Sequence, residues 1–109
     1  MTDKRIVLST AGSEVEARTI AHALVEERLA ACVNIVPHIE SIYRRQGEVE
    51  SSREWLMIIK TTQAMIERVR ETIQQLHSYE LPEFLVLHIE DGSPAYLAWL
   101  GESTGAVER

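Results

Sequence analysis

The densest run of chemistry-bearing side chains lies between Leu76 and Leu87, where His77, Tyr79, Glu80 and Glu83 crowd around Pro82. Imidazole and carboxylate groups suit copper or zinc, which makes His77, Glu80 and Glu83 the metal-ligand candidates. A structural reading competes: His77 could cap the preceding helix by donating to its last free carbonyls. His22, His38, His77 and His88 share no compact ligand spacing, and neither HExxH nor Cys-x-x-Cys occurs. A closed soft-ligand site within one chain is therefore not expected. A weak surface site, or one built between subunits, is the metal-binding form left open.

Cys32 is the lone cysteine, so no intrachain disulfide is possible. A free thiol fits a reducing compartment. Its bland reading is a small buried residue; its reactive reading needs Lys60 or His77 nearby to favour the thiolate. Lys60 ends an apolar run, where lysine usually reaches solvent along its alkyl stem. Tyr43, Tyr79 and Trp99 read first as packing or interface anchors. In the functional reading, Lys60, His77, Tyr79 and Glu83 meet at one rim and take a small anion or metabolite. Glu48, Glu50 and Glu54 read as a solvated hairpin edge that discourages aggregation, or as a weak cation surface. No spacing suggests a nucleophile with its base, so an enzyme is not expected.

A length of 109 residues fits one domain, with 45% hydrophobic and 26% charged residues as in folded globular chains. Seventeen acidic against eleven basic residues give a formal charge of −6, which speaks against binding a phosphate backbone. No apolar run has membrane-span length, and the N-terminus enters a strand-like run without a signal-peptide core. The expected setting is cytoplasmic, with neither nucleic acid nor membrane as partner.

The elements that must hold these side chains follow in order. Arg5 to Thr10 reads as a strand. Ser13 and Glu16 form a capping box for a helix ending near Leu29, with Ala17, Ile20, Ala21 and Leu24 inward and Glu14 and Glu16 on its solvated face. Residues 30–61 look like one long hairpin turning at Gln46-Gly47, with Trp55 to Thr61 apolar on both faces. Pro37, having no amide hydrogen, demands an edge strand or a bulge. Thr61 or Thr62 caps a second helix that buries Ile66, Val69, Ile73 and Leu76. Phe84 to Ile89 is a fourth strand. Ser93-Pro94 starts a short helix through Leu100, and 101–109 reads as a frayed tail. The order β-α-β-β-α-β predicts an α+β, ferredoxin-like, four-stranded antiparallel sheet with two helices on one face. Its other face stays apolar with no chain to cover it, which predicts a homo-oligomer.

Five segments carry a resemblance. Leu29-Ala30-Ala31-Cys32-Val33-Asn34, Ser41-Ile42-Tyr43, Ile59-Lys60-Thr61, His77 to Glu83, and Tyr96-Leu97-Ala98-Trp99-Leu100 together resemble the CutA family of divalent-cation tolerance proteins. The resemblance implies a ferredoxin-like homotrimer whose long hairpin reaches neighbouring subunits. It also implies a non-enzymatic role tied to copper and other divalent metals. Cys32, Tyr43, Lys60, His77, Tyr79, Glu83 and Trp99 become candidates for an intersubunit cleft. The chain departs from the family pattern at Arg45, where an aromatic residue is usual, and at Ser78, where proline is typical. Ser9 stands where some members have a cysteine, which argues against a cysteine-based copper site. The alternative is a trimer similar to PII signalling proteins, sensing a small anion or nucleotide.

Overall fold

The computed structural model describes residues 2–105. The elements are β1 (Lys4–Ala11), α1 (Glu14–Glu26), β2 (Cys32–Arg45), β3 (Glu48–Thr62), α2 (Ile66–Leu76), β4 (Leu85–His88) and α3 (Pro94–Glu102), with a 3₁₀ turn at Gln63–Met65 before α2. The strands form one antiparallel sheet in the order β2-β3-β1-β4. This is the expected ferredoxin-like arrangement.

Period-two alternation divides the sheet. Val7 and Ala11 of β1 and Met57 and Ile59 of β3 join Ile20, Leu24, Val69 and Ile73 of α1 and α2 in one buried cluster. Each such aliphatic chain contributes on the order of 1.5–3 kcal/mol by leaving water. The alternate residues, among them Ile6, Leu8, Leu56, Ile58 and Lys60, face away from α1 and α2. α3 covers one end of that second face, with Tyr96 reaching Lys60 and Gly101 lying against the Lys4 side chain. Leu85 and Leu87 of β4 stay 54% and 47% exposed.

The hairpin follows its residue chemistry. Gln46 and Gly47 have φ of 51° and 84°, the two positive values of a type I′ turn, with Arg45 paired to Glu48. Pro37 and His38 lie opposite Trp55 where the register shifts between Val36 and Ile39. β2 is thus both an edge strand and bulged, with His38 at φ 59°.

Several boundaries and faces differ from the sequence expectation. α1 stops at Glu26, because Arg28 takes φ 61° and Leu29 and Ala30 turn back to bond the Leu24 carbonyl. Neither Thr61 nor Thr62 caps α2 through its side chain; Thr61 Oγ1 instead donates to the Leu29 carbonyl at 2.6 Å. Leu76, expected inside, is 39% exposed. β4 is shorter than Phe84 to Ile89, spanning Leu85–His88. The expected frayed tail is ordered as far as Gly105, whose amide bonds the Arg28 carbonyl at 2.8 Å and whose own carbonyl accepts from Arg28 Nε at 2.7 Å. Residues 106–109 of that expected tail lie outside the described residues.

Candidate functional site: a corner bonded to three elements

The loop from His77 to Phe84 joins α2 to β4 and is tied to β1, α1 and β3. His77 is buried, its side chain fully shielded. Its Nε2 lies 2.6 Å from the Thr10 carbonyl, which can only accept. Its Nδ1 accepts the Tyr79 amide at 3.0 Å. The two partners together select the neutral Nε2–H tautomer. As a helix cap, His77 uses only its backbone, whose amide bonds the Ile73 carbonyl; the side chain goes to β1, not to the carbonyls of α2.

Tyr79 turns its ring onto that imidazole, the centroids 4.6 Å apart, and donates its hydroxyl to Glu54 Oε2 at 2.8 Å. Burial first, then the bond to Glu54, push the phenol up to about 12. The hydroxyl rests on Gly12: a Cβ there would meet it at 2.8 Å, so only glycine admits the ring. Glu54 is 7% exposed, not the solvated edge residue expected from the acidic run. Glu16 also leaves the solvated face. Ser13 Oγ does accept the Glu16 amide at 3.2 Å, giving half of a capping box. The Glu16 carboxylate crosses instead to the corner, accepting the Ser78 amide at 2.7 Å and the Ser78 hydroxyl at 3.2 Å. At the far end, buried Ser9 donates to the Glu83 carbonyl at 2.7 Å. The Arg70 guanidinium lies 4.5 Å from the Phe84 ring centroid.

His77 therefore does not converge with Glu80 and Glu83 as a ligand set. Glu80 and Glu83 are exposed, while the imidazole nitrogens are both engaged inside. Among the described residues no cluster of three His, Cys, Asp or Glu side chains could hold a metal ion. The described residues of the single chain do not fit a closed site. The Glu83 carboxyl is raised above its usual range, by desolvation first and then by the charge of Glu54.

Lys60 does not share this rim. It sits six residues along β3 from Glu54, roughly 20 Å at the strand rise. Lys60 pairs across the ladder with Cys32, and its Nζ lies 3.4 Å from the Tyr96 hydroxyl. Tyr96 in turn lies against Trp99, ring centroids 5.3 Å apart, both rings half-exposed. Cys32 is a half-buried free thiol whose Sγ lies 3.9 Å from Asn34 Oδ1. Tyr43 lies on the hairpin arm opposite Glu50. The single rim expected from the sequence is thus two separate groups.

Sequence reasoning missed Glu16, Glu54 and Gly12 as parts of the corner. Glu54 carried a usable signal: its parity matches Leu56 and Ile58, which places it on a strand face and not at a free edge. Gly12 carried none, because it takes no positive φ and is required only by a ring 67 residues away.

A ferredoxin-like sheet with an extended hairpin and a polar corner tied to the end of β1 defines a class of small α+β proteins. Residues 5–103 match the family model described as CutA1 divalent ion tolerance protein. The chain belongs to that family. It is 53% identical to a divalent-cation tolerance protein CutA of Thermus thermophilus, over 94% of this chain and 99% of that one. The solved Thermus thermophilus structure superposes with a TM-score of 0.92 over the same shares. CutA from Xylella fastidiosa is 35% identical with a TM-score of 0.93, covering 95% of this chain and all of that one. The chloroplastic Arabidopsis thaliana CutA is 44% identical over 91% of this chain, which spans 54% of that relative's length.

Proposed function

We propose that this chain is a cytoplasmic, non-enzymatic homotrimer that handles divalent cations such as copper. The observation carrying the reading is the apolar surface left on the second sheet face and hairpin: Leu85 and Leu87 on β4, Ile42 and Val49 on the arm, all exposed large hydrophobics. Unpartnered strands and apolar patches of this kind mark subunit contacts. Cations then meet carboxylates such as Glu80 and Glu83 at a subunit boundary, weakly, and His77 stays structural. Sedimentation at micromolar concentration tests the assembly, and a stable monomer overturns it. Calorimetry with copper and zinc on native and Glu80→Gln/Glu83→Gln protein tests the cation contact. Binding no stronger than that of an unrelated acidic protein removes it.

A second reading is favoured by the Lys60, Tyr96 and Trp99 group, where a cation stands beside two half-exposed rings. Such a platform suits a planar anion or nucleotide in an intersubunit cleft, as in a PII-like sensor. A thermal-shift series with nucleotides and organic anions separates the readings. Stabilisation by metals alone counts against sensing.

A further inference from the structure

We propose that His77, Tyr79 and Glu16 form a proton-operated latch with two arrangements of the corner. In the arrangement seen, the Nδ1 lone pair holds the Tyr79 amide, and Nε2–H holds the Thr10 carbonyl. No free lone pair remains on the imidazole, so a second proton displaces the Tyr79 amide from Nδ1. An acceptor for the new Nδ1–H already stands close: Glu16 Oε2, at 3.7 Å. The proton forms an N–H bond on Nδ1, the imidazolium pairs with the Glu16 carboxylate, and the Tyr79 amide is left to find water.

The groups facing His77 come from three elements and from the loop itself. From α1 comes the Glu16 carboxylate, from the loop itself the Tyr79 ring, and from β3 Glu54, reached through the Tyr79 hydroxyl. β1 contributes the Thr10 carbonyl. The carboxylates of Glu16 and Glu54 are the charged groups among them. Glu16 is also the acceptor for the Ser78 amide and hydroxyl, so drawing it toward Nδ1 loosens Ser78 at the same moment. Both backbone ties that hold residues 78 and 79 against α1 and β1 therefore respond to one proton. Tyr79 is the residue that places its ring between Gly12 and Glu54, so the latch controls the surface that the corner presents.

Nitrogen-resolved NMR on the intact protein between about pH 8 and pH 5, the range in which histidine ordinarily changes charge, tests this. His77 is expected to pass from the Nε2–H tautomer to imidazolium in step with a shift of the Tyr79 amide and loss of its exchange protection. Glu16→Gln keeps an acceptor for Ser78 but removes the anion that the new Nδ1–H pairs with, so the Ser78 amide is expected to stop following His77 in that variant. A Tyr79 amide that does not follow His77 overturns the latch. So does a His77 that stays neutral across the range in folded protein, or a Ser78 amide that responds equally in Glu16→Gln. None of these outcomes depends on metal binding or on the number of subunits.

Discussion

β3 carries polar groups at two places about 20 Å apart, and the fold treats them in opposite ways. At Glu54 the carboxylate is buried and bonded to Tyr79, which rests on Gly12 and against His77, itself bonded to β1. At Lys60 the ammonium has one long contact, to the Tyr96 hydroxyl at 3.4 Å, and its neighbours Tyr96 and Trp99 stand half in water. Polar groups in the first place are taken up in holding three elements together. Those in the second are still available to something outside the chain. Residue type alone suggests the reverse, because histidine with two glutamates looks more like a site than lysine with two aromatic rings.

Substitutions break this contrast unequally. The largest effect is expected for His77→Ala, which orphans the Thr10 carbonyl and the Tyr79 amide and opens a cavity. A loss of about 3 kcal/mol is expected from those terms together. Denaturant unfolding at one fixed protein concentration measures it, so that any self-association is held constant. A loss below about 1 kcal/mol would make His77 available again as a ligand.

Gly12→Ala comes next, at about 1–3 kcal/mol, because the new methyl group drives the Tyr79 hydroxyl off Glu54. Tyr79→Phe removes the same bond at about 1 kcal/mol. In the Tyr79→Phe background Gly12→Ala should cost clearly less, and additive costs would mean the clash lies elsewhere. The phenol also has a pH signature. Its folded value of about 12 exceeds the ordinary 10.0, so its contribution is complete below pH 10 and is lost as pH rises toward 12. Stability of Tyr79→Phe should fall less steeply across that window.

What was legible in the chain and what was not divides along the same line. Ser13 as an N-cap, Pro37 as the site of a bulge and Gln46-Gly47 as the hairpin turn are decided within a few residues, and all three are found. The helix stripes and the apolar second sheet face are periodic features, equally local, although α3 covers one end of that face where no cover was expected. The corner depends on pairs far apart in sequence: Glu16 with Ser78, Glu54 with Tyr79, Ser9 with Glu83. No local rule brings those together. The capping-box rule even points Glu16 the wrong way, because a carboxylate near a helix start has a second acceptor role once another element packs there. The separation of Lys60 from Glu54 follows from strand rise once both are placed on β3. Chemical type alone hides it, by making His77, Glu83 and Lys60 look like neighbours.

At the Lys60 end the expected effects are small. Lys60→Gln should change stability by no more than about 0.5 kcal/mol, as for a partly exposed position with one weak contact. A larger loss in unfolding experiments would show that this end is tied into the fold as firmly as the corner.

The finest test of the contrast is Glu83, an exposed residue whose backbone belongs to the tied corner through Ser9. Desolvation and then the Glu54 charge raise this carboxyl above its ordinary value of 4.5. A folded value above the unfolded one favours the protonated form in the native state. Its favourable contribution is therefore complete below about pH 4.5 and is lost as pH rises through the raised value. At neutral pH the ionised group then opposes the Glu54 charge. Glu83→Gln removes that repulsion and keeps the Ser9 bond, which uses the backbone carbonyl. The variant is expected to be slightly more stable than the native chain at pH 7, and the advantage should vanish in acid. Equal stability at both pH values would mean that the Glu83 carboxylate is electrostatically separate from the corner and free, like Lys60, to face a partner.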